Sequence, residues 1–380
     1  MAESVTLASL RYASVTVNTR TEWNFAEIGD DQGLHAIVEI TSGGNVVGRL
    51  TPLMQAVTGC PIHDEADVVQ IAGLTPHQIT RDFALATAVS ALRSAIVDIQ
   101  AQCDGLSLTQ ALGGQPVRSV ELYANTNRYL LTTDRRPRDF AAVAERAARD
   151  GFCTVKCTPF DEVDPRDPGA NLVELARRGL DRLAAARRAI DPDITLLVDC
   201  HSRFDLASAP AVAEKLAKLD VGWFEEPVNP ERDPEDLAEI ASRVSMPVAG
   251  GEHAYGAEFF QSLVASRAFN VAMPDIKYCG GVSEAVRAAR LVARQGGRTS
   301  LHGPTGPVSI LAGAHVTAAM PAALPLEFGV YECPWRADLI DPPEHVHNGR
   351  LHLPTGPGLG ARLNPSVLQT HGHGWSPASL

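Results

Sequence analysis

Between residues 120 and 327 the chain alternates short apolar runs with Ala/Arg/Leu-rich stretches, and the runs close on polar side chains. The runs are 120–124, 153–156, 194–199, 221–225, 247–249, 270–275, 299–302 and 324–327. The helical stretches between them are 139–149, 172–190, 208–219, 233–244, 257–266, 283–295 and 308–319. Eight such runs predict a (β/α)₈ barrel. An open doubly wound sheet would need a Gly-rich GxGxxG turn after an early strand, and none is present. At or just past successive runs stand Lys156, Asp199, Glu225, Glu252, Asp275, His302 and Glu327. From Asp199 onward they recur every 23 to 27 residues. Scattered surface charges do not keep such a period. Barrel chemistry sits at the C-terminal strand ends, so the series predicts one ring of functional groups.

The rhythm also divides the chain. Residues 1–116 read as α+β, with strand-like runs over 5–17 and 23–41 and a helical pattern from 76 to 112 that ends at Gly113-Gly114-Gln115-Pro116. Residues 117–329 carry the barrel pattern. Residues 330–380 are Pro/Gly-rich without it, and are expected to fold back onto the N-terminal block.

Three neighbouring runs, LLVDC, GWFEEP and PVAGGE, end in Asp199, Glu225 and Glu252. Carboxylates converging at one point repel unless a cation neutralises them. Ligation by oxygen alone, with room for water, suits Mg²⁺. Asp275 can accept a hydrogen bond from His302 on the next strand, fixing its tautomer and raising its basicity as a general base. His201 lies two residues past Asp199, and alternate strand residues face the same way, so it is a candidate general acid beside the metal. Lys156 can hold a substrate carboxylate or offset negative charge. Lys277, two residues beyond Asp275, is a second candidate base. The C-terminal histidines (His345, His347, His352, His371 and His373) are given no chemistry.

Composition narrows the partners. With 33 Lys and Arg against 45 Asp and Glu, the net charge is −12. Nucleic acid and basic membrane docking are therefore not expected, because a polyanion needs a basic face. No uninterrupted apolar stretch reaches the ~20 residues of a bilayer span; 83–99 is broken by Ser90, Arg93, Ser94 and Asp98. The N-terminus has no basic-then-apolar secretory pattern. The seven cysteines lack any CxxC pair, which fits reduced thiols in a cytoplasmic protein.

Taken in order, VDCHSRF, WFEEPV, PVAGGEH, MPDIKYCGGVSE and LHGPTGPVS resemble the enolase superfamily in its mandelate-racemase-like branch. LTQALGG and PTGPGLG extend the resemblance into the capping region and tail. It implies a modified TIM barrel, (β/α)₇β, with an α+β capping domain built from both termini. It further implies Mg²⁺ on Asp199, Glu225 and Glu252, and abstraction of the proton α to a carboxylate to give an enolate. DxH after the third strand and HGPTGP around the base are most similar to galactonate-dehydratase-like enzymes. Carried over, His302 is the base, Asp275 its partner and His201 the acid, with Glu327 near the enolate oxygen or a substrate hydroxyl. The expected activity is a sugar-acid dehydratase, a carbon–oxygen lyase giving a 2-keto-3-deoxy acid from a small carboxylate. The alternative is a cycloisomerase of an anhydro-sugar acid or lactone. A homo-oligomer is the family's habit.

There are departures. The branch's racemases carry KxK after the second strand, whereas here the motif is Lys156-Cys157-Thr158, which lowers the odds of racemisation. Leu34-His35-Ala36-Ile37 and Val47-Gly48 replace a GWGE-like segment. By the resemblance, loops 18–24 and around 50–55 cover the pocket, so these differences bear on substrate choice.

Overall fold

The computed structural model describes residues 4–41, 43–167 and 169–379, so the outermost positions of the expected terminal segments lie outside it. The N-terminal region opens with an antiparallel meander, β1 (Val5–Thr16), β2 (Glu22–Asp30) and β3 (His35–Ile40). The apolar run 23–41 is thus split in two. Asp30 breaks it, its carboxylate accepting from the backbone of Gln32 (3.0 Å) and Leu34 (2.8 Å) to stabilise the turn. One sheet face packs on α1 (Val46–Val57) and α2 (Phe83–Cys103). Residues 50–55, expected as a loop, lie within α1 because Leu50, Leu53, Met54 and Val57 recur at helical spacing and bury together.

By length and composition α2 could cross a bilayer, with 21 residues and a mean hydropathy of 1.3. However, 72% of its most apolar window is buried in the fold, which marks a core helix. Its N-terminus is capped by Asp82, which accepts from the Leu85 amide at 3.1 Å.

The barrel strands are β4 (Ser119–Asn125), β5 (Thr154–Cys157), β6 (Thr195–Asp199), β7 (Val221–Glu225), β8 (Val248–Gly250), β9 (Val271–Ala272), β10 (Arg298–Thr299) and β11 (Leu326–Gly329). Each pairs in parallel with the next through β10, and β11 returns beside β4, with Glu327 opposite Tyr123. Between β10 and β11 the ring closes on one bridge, Thr299 to Ala323, with the Leu324 amide donating to the Thr299 carbonyl at 2.8 Å. Tyr123, Leu197, Trp223, Ala249, Val271 and Met273 fill the interior.

Outside run α3 (Pro137–Arg149), α4 (Arg177–Ala189), α5 (Ala209–Ala217), α6 (Pro234–Arg243), α7 (Ala257–Ala265), α8 (Val282–Arg294) and α9 (Pro307–Ala319). Directly past β11 the first helical element is a 3₁₀ turn, Ala337–Leu339, and the later helix Pro365–His371 belongs to the tail, so the barrel is (β/α)₇β with its α+β cap.

The tail divides its contacts. Arg350–His352 pairs antiparallel with the start of β4, whereas Ser376–Pro377 pairs with β1. Gly372 and the end join the N-terminal sheet, and Gly358 bridges Ser107 farther back in the N-terminal block. The alternation of Val346 and Leu351 with polar neighbours suits a hairpin with one buried face, and it settles at the barrel's foot.

Candidate active site

Asp199 and Glu225 are the last residues of β6 and β7. Glu252, Asp275 and His302 stand two or three residues past β8, β9 and β10, in the connecting loops rather than at strand ends. The chain leaves the ladder at Gly251, whose φ of +101° suits glycine. Glu226 shapes that loop, its Oε1 accepting from the amides of Gly251 (2.8 Å) and Glu252 (3.3 Å). Oxygens of Asp199, Glu225 and Glu252 lie within 4.8 Å of one another, and all three side chains are buried.

Burial first, then the Glu226, Asp199 and Glu225 charges, raises the Glu252 pKa well above the carboxylate range. Burial raises Glu225 as well; Lys156 opposes this, while Asp199 and Glu327 add to it. Asp199 goes the other way: burial pushes it up, but His201 and Lys156 together bring it down. Three hard oxygen donors in mutual repulsion fit a divalent cation shared between them.

Lys156 is buried between two carboxylates, its Nζ 2.6 Å from both Glu225 Oε1 and Glu327 Oε1. Glu327 also accepts from Asn125 Nδ2 (2.6 Å) and, through Oε2, from the Gly303 amide (3.0 Å). Trp223 Nε1 donates to Glu225 Oε2 at 2.9 Å. These bonds anchor Glu225 and Glu327 before any ligand binds.

His302 Nδ1 stands 2.9 Å from Asp275 Oδ2, and its Nε2 lies 3.1 Å from Glu252 Oε2. A proton on Nδ1 shared with Asp275 leaves the Nε2 lone pair at the carboxylate cluster. Lys277 Nζ is 3.9 Å from Asp275 Oδ2, and its pKa is raised because Asp275, Tyr278 and Glu39 outweigh the penalty of burial. An ammonium held that way is a poor base.

His201 reaches the cluster by a different route from strand alternation. It sits in a tight turn with φ of +48°, followed by Ser202 at +56°, and its own amide donates to Asp199 Oδ1 at 2.9 Å. The turn still brings His201 Nε2 to 2.9 Å from Asp199 Oδ2, and that charge raises the imidazole pKa.

Asn125, Thr158, Trp223, Glu226 and Glu39 escaped the sequence reading. Thr158 Oγ1 donates to Asp199 Oδ2 at 3.3 Å. Glu39, buried on β3, accepts from the Gly306 amide (2.7 Å) and the Ser309 amide (3.2 Å) at the start of α9, just past His302. A lone charge inside the apolar run Ile37-Val38-Glu39-Ile40 is the signal that could have found it.

The profile of the enolase C-terminal domain-like family matches residues 139–367. Over 296 residues the chain is 30% identical to a D-gluconate dehydratase of Thermoproteus tenax, covering 77% of this chain but only 58% of that protein. It is 29% identical over 377 residues to a D-galactarolactone cycloisomerase of Agrobacterium fabrum (strain C58), covering 92% and 94%. A solved enolase-superfamily member from Salmonella Typhimurium superposes with a TM-score of 0.84 at 21% identity, covering 99% and 100%, which speaks to fold alone. With the barrel, the cap and the carboxylate trio all in place, the chain belongs to the enolase superfamily, through its enolase C-terminal domain-like family.

Proposed function

We propose that this protein is a Mg²⁺-dependent sugar-acid dehydratase, taking an aldonate or aldarate to its 2-keto-3-deoxy acid. The observation that carries it is the convergence of Asp199, Glu225 and Glu252 with the His302–Asp275 pair on one side and His201 on the other. Bound to the three carboxylates, Mg²⁺ would neutralise them and offset the charge that develops on the substrate carboxylate.

The chain's own residues divide the proton work. His302 Nε2 takes the α-proton, with Asp275 holding its Nδ1–H and stabilising the imidazolium. His201 Nε2 gives its proton to the departing β-hydroxyl, so that the C–O bond breaks and water leaves. The enol that remains ketonises to the 2-keto acid. Lys156 keeps Glu225 and Glu327 in place while it offsets negative charge near the α-carbon. Lys277 stays protonated and steadies Asp275.

Sugar-acid dehydratases among the relatives support this reading. The nearly full-length match to the cycloisomerase supports a second, in which the same proton abstraction expels a ring oxygen. A sugar-acid panel incubated with Mg²⁺, assayed with semicarbazide for 2-keto acid and by mass, tests both. Loss of one water supports dehydration; unchanged mass supports cycloisomerisation. No turnover and no α-proton exchange in D₂O would overturn both. The reading takes 1–116 as the cap, 117–329 as the catalytic barrel and 330–380 as the returning segment, in a homo-oligomer that light scattering would test.

A further inference from the structure

Arg128 differs from Arg135 and Arg336, two other guanidiniums around the barrel mouth. It lies in the turn of helix Asn127–Leu130 that leaves β4, and Glu332 lies just beyond β11, the neighbouring strand. Asn125 and Gly329, which end those strands, face each other in register. Both side chains thus belong to the C-terminal face that carries Glu327. Across from them stands the cap turn 18–21, shorter than the loop 18–24 expected because 22–24 already belong to β2, and Trp23 on that strand packs close to Gly306 in the segment after His302.

Two neighbouring guanidiniums, Arg336 and Arg135, are saturated. Arg336 binds Glu344 (2.8 and 3.1 Å), Glu332 (3.0 Å) and the Thr305 carbonyl (2.7 Å). Arg135 binds Asp161 (2.6 Å), Asn127 (3.2 Å) and the Thr158 carbonyl (2.5 Å). Among the described residues Arg128 has only long contacts, 3.5 Å to Thr21 Oγ1 and 3.9 Å to Glu332 Oε1, where a charge-assisted bond runs ~2.7–2.9 Å. Its side chain keeps 36% of its surface open.

Two buried polar atoms close by have no hydrogen-bond partner among the described residues, Glu332 Oε1 and Trp23 Nε1. The Arg336 guanidinium ties them together, lying over the Trp23 ring (5.2 Å) while bonded to Glu332. Buried groups of this kind seldom stay unpaired without a function. An open guanidinium fork, an unfilled acceptor and an unfilled donor match a carboxylate flanked by hydroxyls.

We propose that Arg128 binds a second carboxylate at the end of the substrate remote from the reacting carbon, with Glu332 and Trp23 meeting the hydroxyls beside it. The preferred substrate is then a dicarboxylic sugar acid or its lactone rather than a monoacid. This rests on the sugar-acid reading above and goes beyond it in naming the substrate class. A monoacid ending in CH₂OH leaves the fork unmatched.

The test uses the full chain with Mg²⁺ and pairs of an aldarate and an aldonate of the same configuration. Both kcat/KM and calorimetric affinity are compared among wild type, Arg128→Gln and Arg128→Lys. Loss of a hydrogen bond between charged groups predicts that Arg128→Gln lowers the diacid-to-monoacid ratio about 10–100-fold, mostly through KM. Arg128→Lys should recover part of the ratio, keeping the charge without the fork. A ratio unchanged in Arg128→Gln, or an equal loss on both substrates, overturns the proposal. If wild type exchanges no α-proton yet calorimetry still shows the Arg128-dependent preference for diacids, the functional reading fails and the clamp stands.

Discussion

Two regions of this molecule bury many charges, and they do so by opposite logic. At the seam between cap and barrel, Arg93 of α2 pairs with Glu65 and lies 3.4 Å from Glu284 of α8. Glu284 also accepts from the Ala257 amide (2.7 Å) and from Arg287, which in turn holds Glu258 (2.5 and 2.7 Å). Every carboxylate there meets a guanidinium. At the barrel mouth Lys156 is shared between Glu225 and Glu327, and the ion-pair contacts of Glu252 among the described residues are imidazoles, His302 at 3.1 Å and His253 at 3.4 Å. A matched cluster locks two layers together, whereas an acidic surplus is stable only when a cation completes it.

Breaking the mouth should have the largest effect. Glu252→Gln removes a metal ligand and is expected to lower kcat at least ~10³-fold and to abolish Mg²⁺ binding by calorimetry. Metal-free, the same variant should melt at or above the wild-type temperature, because a repelling charge has gone. A lower Tm would contradict the surplus-charge account.

Next come the proton carriers. His302→Asn should lower turnover ~10²–10⁴-fold and stop α-proton exchange with D₂O, as expected of a general base. His201→Asn should stop elimination yet leave exchange; loss of exchange as well would undo the division of roles.

The seam should respond through stability. Arg93→Ala strands buried carboxylates and is expected to cost ~3–5 kcal/mol in denaturant unfolding, with the metal site intact once folded. A cost below ~1 kcal/mol would make the two regions alike after all.

The smallest effect is a pH dependence on the other side of α2. Burial raises Asp98 to about 7, even though it accepts from the Leu359 amide (2.7 Å) and Gln102. The folded state therefore keeps a proton that the unfolded chain loses near pH 4. Stability from this group is full below that pH and declines as pH rises toward 7, by ~1–4 kcal/mol at most. Asp98→Asn keeps an acceptor for Leu359 and should flatten the decline relative to wild type; an unchanged slope would show that Asp98 ionises normally.

Much of the mouth was legible because barrel strands deliver one group per unit at a repeating interval. Asp199, Glu225, Glu252, Asp275 and His302 could be read from spacing alone, although three of them sit past their strands. His201 stands beside Asp199, but a left-handed turn rather than strand alternation carries it there. Asn125 and Thr158 were missed because a neutral polar residue leaves no mark in a hydrophobicity pattern. Glu39 was missed because its partners lie 267 and 270 residues away.

Local pattern determined the strand–helix alternation, the order of acids and bases, and the helical face of α2, because periodicity and burial act between near neighbours in the chain. Tertiary structure alone decided that Lys156 bridges two carboxylates, that the tail divides itself between barrel foot and cap, and that Arg128 stands open beside Glu332. Those outcomes depend on which distant side chains come within a few ångströms, and that distance is set by the closure of the ring and the seating of the cap.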